Sequence, residues 1–300
     1  MPLRPFDPAA VSLPLDLAAV PLPITSASGE RWSKGLGDRC PAVRELLSRG
    51  VAPPFAVTGC TIFLVSSHFD ITGGVYWREQ VTYHRPVRLG ETLSIGGRVE
   101  QVYVHDGRRY QVMTSRTLGE DGTRVATSRS TGLGKYRRDE GIEESAGGEL
   151  PYEAGPDFPA SRGNPLLASL RELRPGAAFE SEPQVVTLQM MRDWSAGDER
   201  NPIHTDPEVA RKAGWAAPIA GGPHVLAFLQ EMLMERLGAE ALSHGSHFDV
   251  RWVSPVQDGG TVVTRAAVTA ADTRSVTLEL KIECDGRTAM VGAATIPLQS

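Results

Sequence analysis

Two side chains able to move protons lie close together in the sequence, Asp198 and His204, separated by Glu199-Arg200-Asn201-Pro202-Ile203. The Asn-Pro step disfavours helix at Asn201 and fixes the backbone at Pro202, so the carboxylate and the imidazole flank a bend that can turn both into one cavity. Such a pair suits syn addition or removal of water. The carboxylate takes a proton from water or from a substrate, and the imidazole gives or takes the other. A plainer alternative stands beside it: Asn-Pro is an ordinary turn, Asp198 caps the segment that follows, and His204 is solvated.

The elements that must hold this bend come from both sides of it. Met190 to Ala196 reads as a short helix leading in, and Pro207 to Ala213 as another leading out. A long apolar helix follows, beginning near Pro218 and running to Leu237, with Val225, Leu226, Phe228, Leu229, Met232, Leu233 and Leu237 as a core-facing surface and Gly238 as its stop. Strands then return at Phe248 to Val253, Thr261 to Val268, Ser275 to Glu283 and Thr288 to Ile296. The first half reads the same way. Pro41 to Ser48 is a short helix stopped at Gly50, Phe55 to Val65 is an apolar helix or strand, and strands follow at Val75 to Tyr83, Glu91 to His105, Arg108 to Leu118 and Thr123 to Tyr136. Asp106-Gly107 and Asp121-Gly122 suit tight hairpins. Met1 to Pro23, broken by prolines, predicts an extended arm with no long regular element.

The halves can be laid on each other. His84 to Leu93 recurs as Val253 to Val262, with Pro86 on Pro255, Val87 on Val256, Gly90 on Gly259 and Thr92 on Thr261. Arg137 to Gly155 is charged, holds Gly147-Gly148, and reads as the linker, which sets units of 1–150 and 151–300. A helix packed on an antiparallel meander, present twice, is an α+β architecture.

Composition limits the partners. The 300 residues carry a formal charge of -5 with 41% apolar and 22% charged residues, which gives no general attraction to nucleic acid or anionic membrane. No stretch approaches the ~18 consecutive apolar residues of a membrane span. Cys40, Cys60 and Cys284 are odd in number and widely spaced, as free thiols of a reducing compartment would be, so no metal site is expected and the protein reads as cytoplasmic. No nucleotide-cofactor motif is present, and no cofactor is expected.

The string Trp194-Ser195-Ala196-Gly197-Asp198-Glu199-Arg200-Asn201-Pro202-Ile203-His204, with Ala210 and Pro218-Ile219-Ala220-Gly221-Gly222 beyond it, resembles the signature of MaoC-like dehydratases and type 2, (R)-specific enoyl-CoA hydratases. The resemblance implies a double hot-dog fold, each unit an antiparallel sheet wrapped around a central helix. It implies an N-terminal unit specialised for the acyl chain and a C-terminal unit that keeps the catalytic residues. Asp198 and His204 become a catalytic dyad for reversible hydration of a 2-enoyl thioester, a hydro-lyase reaction. Gly222 N–H, with Gly221 and Asn201 beside it, becomes the oxyanion and substrate-binding region, and Asn201 is read as holding the loop.

Two departures matter. Both Glu199 and Arg200 stand between aspartate and asparagine where the family has one residue, so Glu199 is the alternative carboxylate. Gly221 and Pro223 replace the family's histidine and methionine, with His224 as a substitute imidazole or a helix-capping one. The implied partner is an acyl-CoA or acyl-carrier-protein thioester, with phosphates drawn to arginines such as Arg85 and Arg88; a homodimer is compatible with this. Acyl thioesterase activity and a catalytically degenerate thioester-binding subunit are the alternatives. A bulky acyl group is expected to lie toward the first half, past Gly59.

Overall fold

The computed structural model describes residues 3–134, 138, 142–145, 170–196 and 200–298. The first half contains β1 (Leu15–Pro23), α1 (Ser26–Gly35), α2 (Pro41–Ser48), β2 (Val51–Ala52), α3 (Cys60–Ser66), β3 (Val75–Tyr83), β4 (Val87–Arg88), β5 (Thr92–His105), β6 (Arg108–Leu118) and β7 (Arg124–Leu133). The second contains β8 (Ala178–Glu180), β9 (Gln184–Val185), α4 (Leu188–Ser195), α5 (Pro207–Lys212), α6 (Gly222–Leu237), β10 (His247–Trp252), β11 (Thr261–Ala271), β12 (Ser275–Cys284) and β13 (Arg287–Pro297). The linker expected at Arg137 to Gly155 and the boundary near residue 150 lie almost wholly outside the described residues.

The halves share one sheet in the order β1-β5-β6-β7-β3-β10-β13-β12-β11-β8, with β9 also on β11. Read outward from the β3–β10 joint, each half repeats the other's strand pattern, and a helix lies in each curl: this is the double hot-dog. The joint pairs Val81 with Phe248 and Glu79 with Val250. It is tied by Asp249, which accepts from Arg78 Nε at 2.7 Å and Nη2 at 2.6 Å and from Gln80 Nε2 at 3.1 Å. The repeat is visible in the backbone, since Gly90 and Gly259 both take positive φ, 97° and 83°, ahead of β5 and β11.

The two central helices differ. α6 has 16 residues and is buried without interruption from His224 to Met234, as expected of a helix apolar on nearly all sides. Each of its fully buried leucines, Leu226, Leu229 and Leu233, contributes roughly 1.5–3 kcal/mol. α3 has only 7 residues and starts from Gly59 in the left-handed region at φ 76°. The Phe55–Val65 stretch is therefore a 3-10 turn, Pro54–Val57, and a short helix joined by a glycine kink.

Three expectations are corrected. The proline-rich arm holds a nine-residue strand, β1, because an edge strand needs only half its N–H groups and so accommodates Pro21 and Pro23. α6 begins at Gly222, whereas Pro218 to Gly221 run extended, with Ala220 N–H on the Val256 carbonyl at 2.8 Å. Gly176 to Leu188, whose sequence reads as one further strand, holds two short pieces, β8 and β9. Among the described residues no helix is long and apolar enough to cross a membrane.

Beneath α3 the core is polar. Thr61 bonds to Ser130, and Ser130 donates to Glu79, all three fully buried. Burial pushes the Glu79 carboxyl up to about 7, the Ser130 hydroxyl pulling the other way. A carboxyl raised on folding contributes stability that is complete below its ordinary value of 4.5 and is lost as pH rises through about 7. Glu231 has the same sign: burial lifts it to about 7, although it accepts from Ala42 N–H at 3.0 Å and Val43 N–H at 3.1 Å at the start of α2. His224 opposes them. Burial lowers it to about 4, so its contribution is present above 6.5 and lost as pH falls through about 4. Glu79→Gln is therefore expected to gain melting temperature relative to wild type between pH 5 and pH 8. Parallel melting curves across that range would mean that Glu79 titrates as an ordinary carboxylate.

Candidate active site

The motif loop is carried by α4 and closed by a 3-10 turn, Pro202–His204, whose Ile203 is completely buried and so pins the turn to the core. His204 Nδ1 lies 2.7 Å from the Ile219 carbonyl. A carbonyl only accepts, so Nδ1 carries the proton in the neutral ring and Nε2 is left as the basic nitrogen. Asp206, two residues on, caps α5 by accepting from Glu208 N–H and Val209 N–H.

Gly197, Asp198 and Glu199 lie outside the described residues, but the residues on either side of them are held by the first half. Arg31 of α1 donates to the Ala196 carbonyl at 2.6 Å. Arg200 lies 4.4 Å above the Phe63 ring and donates to Ser67 Oγ at 3.0 Å and to the Phe63 carbonyl at 3.3 Å. Asn201 accepts from Gly73 N–H at 3.0 Å and donates to the Gly74 carbonyl at 2.8 Å. Its amide is thus spent on the loop before β3, with one donor and one acceptor used there.

These groups line a cavity of about 1040 Å³ shared by the two halves. Asn201, His204, Gly221, Gly222 and Trp252 come from the second, and Phe55, Ala56, Gly59, Ile62, Phe63 and Tyr76 from the first. Gly221 faces the His204 ring, for a Cβ there would stand 3.7 Å from Nε2. Gly222 opens α6 with its α-carbon pressed between Tyr76 and Trp252: a Cβ would lie 2.9 Å from Tyr76 Cβ and 3.1 Å from the indole. Among the described residues no hydrogen bond engages Gly222 N–H, which leaves the amide and the positive end of the helix dipole for an anionic oxygen. No group of His, Cys, Asp and Glu among the described residues is placed to hold a metal ion.

Other expected positions fall elsewhere. His224 is buried, donates through Nε2 to the Gly35 carbonyl at 2.7 Å, and stacks on Trp194 at 4.7 Å; it ties α6 to α1 and does not line the cavity. Arg85 is held by Glu91 at 2.7 Å and closes the turn before β5, away from the cavity. The arginines that do line it are Arg31, Arg108, Arg109, Arg200 and Arg251. Gly59 is not a plain spacer, because its positive φ strains any side chain and a Cβ would meet Pro223 at 2.7 Å. Tyr76, Trp252 and Arg31 were not singled out from the sequence, since no motif links them to residues so distant along the chain.

Residues 172–284 match the family model described as a MaoC like domain. Among solved structures, one described as a MaoC-like dehydratase superposes with TM-score 0.70 at 18% identity, over 95% of this chain and 97% of its own. A MaoC-like dehydratase from Phytophthora capsici gives 0.67 at 16% identity, over 95% and 97%. RV0216 of Mycobacterium tuberculosis, described as having a double hotdog fold, gives 0.65 at 14% identity, over 97% and 98%. At such identities the likeness is one of fold. No curated protein matches the chain.

Proposed function

We propose that the protein adds water reversibly across the double bond of a 2-enoyl thioester, carried by coenzyme A or an acyl-carrier protein. The observation that carries this reading is the anchoring of His204: Nδ1 is committed to the Ile219 carbonyl, so that Nε2 is the basic nitrogen of a ring that lines the cavity beside Gly221. Asp198 polarises water for attack at C3, and His204 orients that water and passes a proton to C2. Electrons of the C2–C3 bond move onto the thioester oxygen, where Gly222 N–H stabilises them. Asn201 holds the loop, and Glu199 is the carboxylate if the added residue shifts the register.

The test is hydration of trans-2-enoyl-CoA thioesters of increasing length, read as formation of 3-hydroxyacyl-CoA. Release of free thiol instead makes the protein a thioesterase, and binding without turnover across the panel makes it a thioester-binding subunit.

The short α3 and the lining by Ala56, Ile62 and Phe63 support an acyl tail directed into the first half. Since Gly59 cannot be enlarged without strain, the tail is better tested at Ala56. Ala56→Leu is expected to reduce kcat/KM for long or branched substrates at least several-fold more than for crotonyl-CoA, because the added bulk removes tail space without reaching His204. Equal losses on both, in a folded variant, would place the tail elsewhere.

A further inference from the structure

One side of α3 lines the cavity from beginning to end. Gly59, Ile62, Phe63 and Ser66 all border it, at the spacing that places residues on a common helix face. At the beginning, a Cβ on Gly59 would lie 2.7 Å from the Pro223 ring of α6, so the passage along α3 starts beside Gly222. Gly132 and Met113 of the sheet line the same stretch. A Cβ on Gly132 would stand 3.4 Å from Met113 Cε and 3.9 Å from Ile62 Cδ1, which brings sheet and helix close together there.

At the far end of α3 the wall comes from the segment ahead of β1. Phe6 lines the cavity, packs edge-on against Phe69 at 5.1 Å between centroids, and joins Ile62, Val65, Ile71 and Met113 in one apolar cluster. Its neighbours Arg4, Pro5 and Asp7 are exposed, whereas Phe6 is half-buried, so the ring is what this segment contributes to the interior. The segment is tied by the Asp70 N–H, which donates to the Arg4 carbonyl at 2.9 Å, and by a bridge between Pro5 and Asp70. Asp70 precedes Gly73 and Gly74, the two residues that hold Asn201. A chain end tied down in this way is ordered by its contacts, and here the contacts place an aromatic ring across the end of the passage.

We propose that Phe6 is the end-stop of the acyl pocket: the tail of the bound thioester runs along α3 and its terminal methyl meets the Phe6 ring. This deepens the hydratase reading and rests on it for the thioester and for the direction of the tail. A helix rises 1.5 Å per residue, so the passage advances ~9 Å between Gly59 and Val65, room for a straight acyl group of about eight carbons. The preferred substrate class is then a medium-chain thioester, and longer chains are refused by the ring.

The experiment is calorimetric binding of butyryl-, octanoyl- and dodecanoyl-CoA, saturated thioesters that ask nothing of hydration. Wild-type affinity is expected to rise from butyryl to octanoyl and to fall again at dodecanoyl. Phe6→Ala is expected to bind dodecanoyl-CoA at least tenfold more tightly than the wild type, since each methylene newly buried is worth about fourfold. Butyryl-CoA, whose tail ends short of Phe6, should change far less. In wild-type protein, an octanoyl-CoA with a diazirine at its terminal carbon is expected to label the peptide that contains Phe6 on irradiation, which reads the tail's end even if the variant does not fold.

Unchanged dodecanoyl affinity in folded Phe6→Ala, label found only on other peptides, or no binding of any acyl-CoA overturns the proposal. If the wild type hydrates no enoyl thioester while the length preference moves with Phe6, the end-stop stands and the hydratase reading falls. If crotonyl-CoA is hydrated while the length preference ignores Phe6, the hydratase reading stands and the end-stop falls.

Discussion

His204→Ala is expected to hydrate a short 2-enoyl thioester about 10²–10⁴-fold more slowly than the wild type, the range lost with a general acid or base. The variant should remain folded. The turn is pinned to the core by Ile203, which is wholly buried, whereas the His204 side chain lies at the cavity, with Nδ1 on the Ile219 carbonyl. Circular dichroism and a melting curve check this, and steady-state rates check the chemistry. Retention of more than a tenth of the rate in the folded variant would remove His204 from the mechanism.

Asp198→Asn and Glu199→Gln, measured beside it, decide the carboxylate. Loss with Asp198→Asn alone supports the dyad, whereas loss with Glu199→Gln alone moves the role one residue on.

What could be read from the sequence followed the range of each signal. β12 alternates cleanly between buried and half-buried positions, and the sequence boundaries of β6, β11 and β12 agree with the structure to within a few residues. Pro41–Ser48 was legible because proline begins it and glycine stops it. α1 was not legible. Its cap is a reciprocal Thr25–Ser28 pair where the familiar signature has glutamate or glutamine, and its sequence SASGERWSKG has no apolar stripe. The motif turn was legible because Asn201, Pro202 and His204 are adjacent in the chain, but the groups that fix it were not. Arg31 reaches Ala196 across 165 residues, and Asn201 reaches Gly73 across 128. The arginine expectation failed for a related reason: Arg85 and Arg88 lie on a turn, as expected, but Glu91 accepts from the Arg85 guanidinium and Arg88 N–H, closing that turn on itself. The first half's contribution to the site is thus a matter of tertiary reach, and only the paired sheet brings it into place.

That reach gives the second large effect. Gly222→Ala is expected to lower kcat/KM by roughly ten- to a hundredfold, and Gly221→Ala by markedly less, although the two glycines are neighbours in the same signature. A Cβ at Gly222 meets Tyr76 Cβ at 2.9 Å and the Trp252 indole at 3.1 Å, and neither is the free end of a flexible side chain. Tyr76 Cβ is one bond from β3, and the indole is confined by Tyr76 itself. The start of α6 must therefore move away from one of the two rings. Overpacking of this kind costs about 1–3 kcal/mol, and each 1.4 kcal/mol taken from the transition state is about tenfold in rate.

At Gly221 the backbone has φ -63° and ψ 149°, open to any residue. A Cβ there stands 3.7 Å from His204 Nε2, an ordinary contact. The comparison is best made with crotonyl-CoA, whose short tail does not report on the first-half pocket, and with melting curves for both variants. Equal losses from the two substitutions would show that the first amide of α6 has no special part in binding the thioester oxygen, and would leave His204 as the only described group of the proposed mechanism.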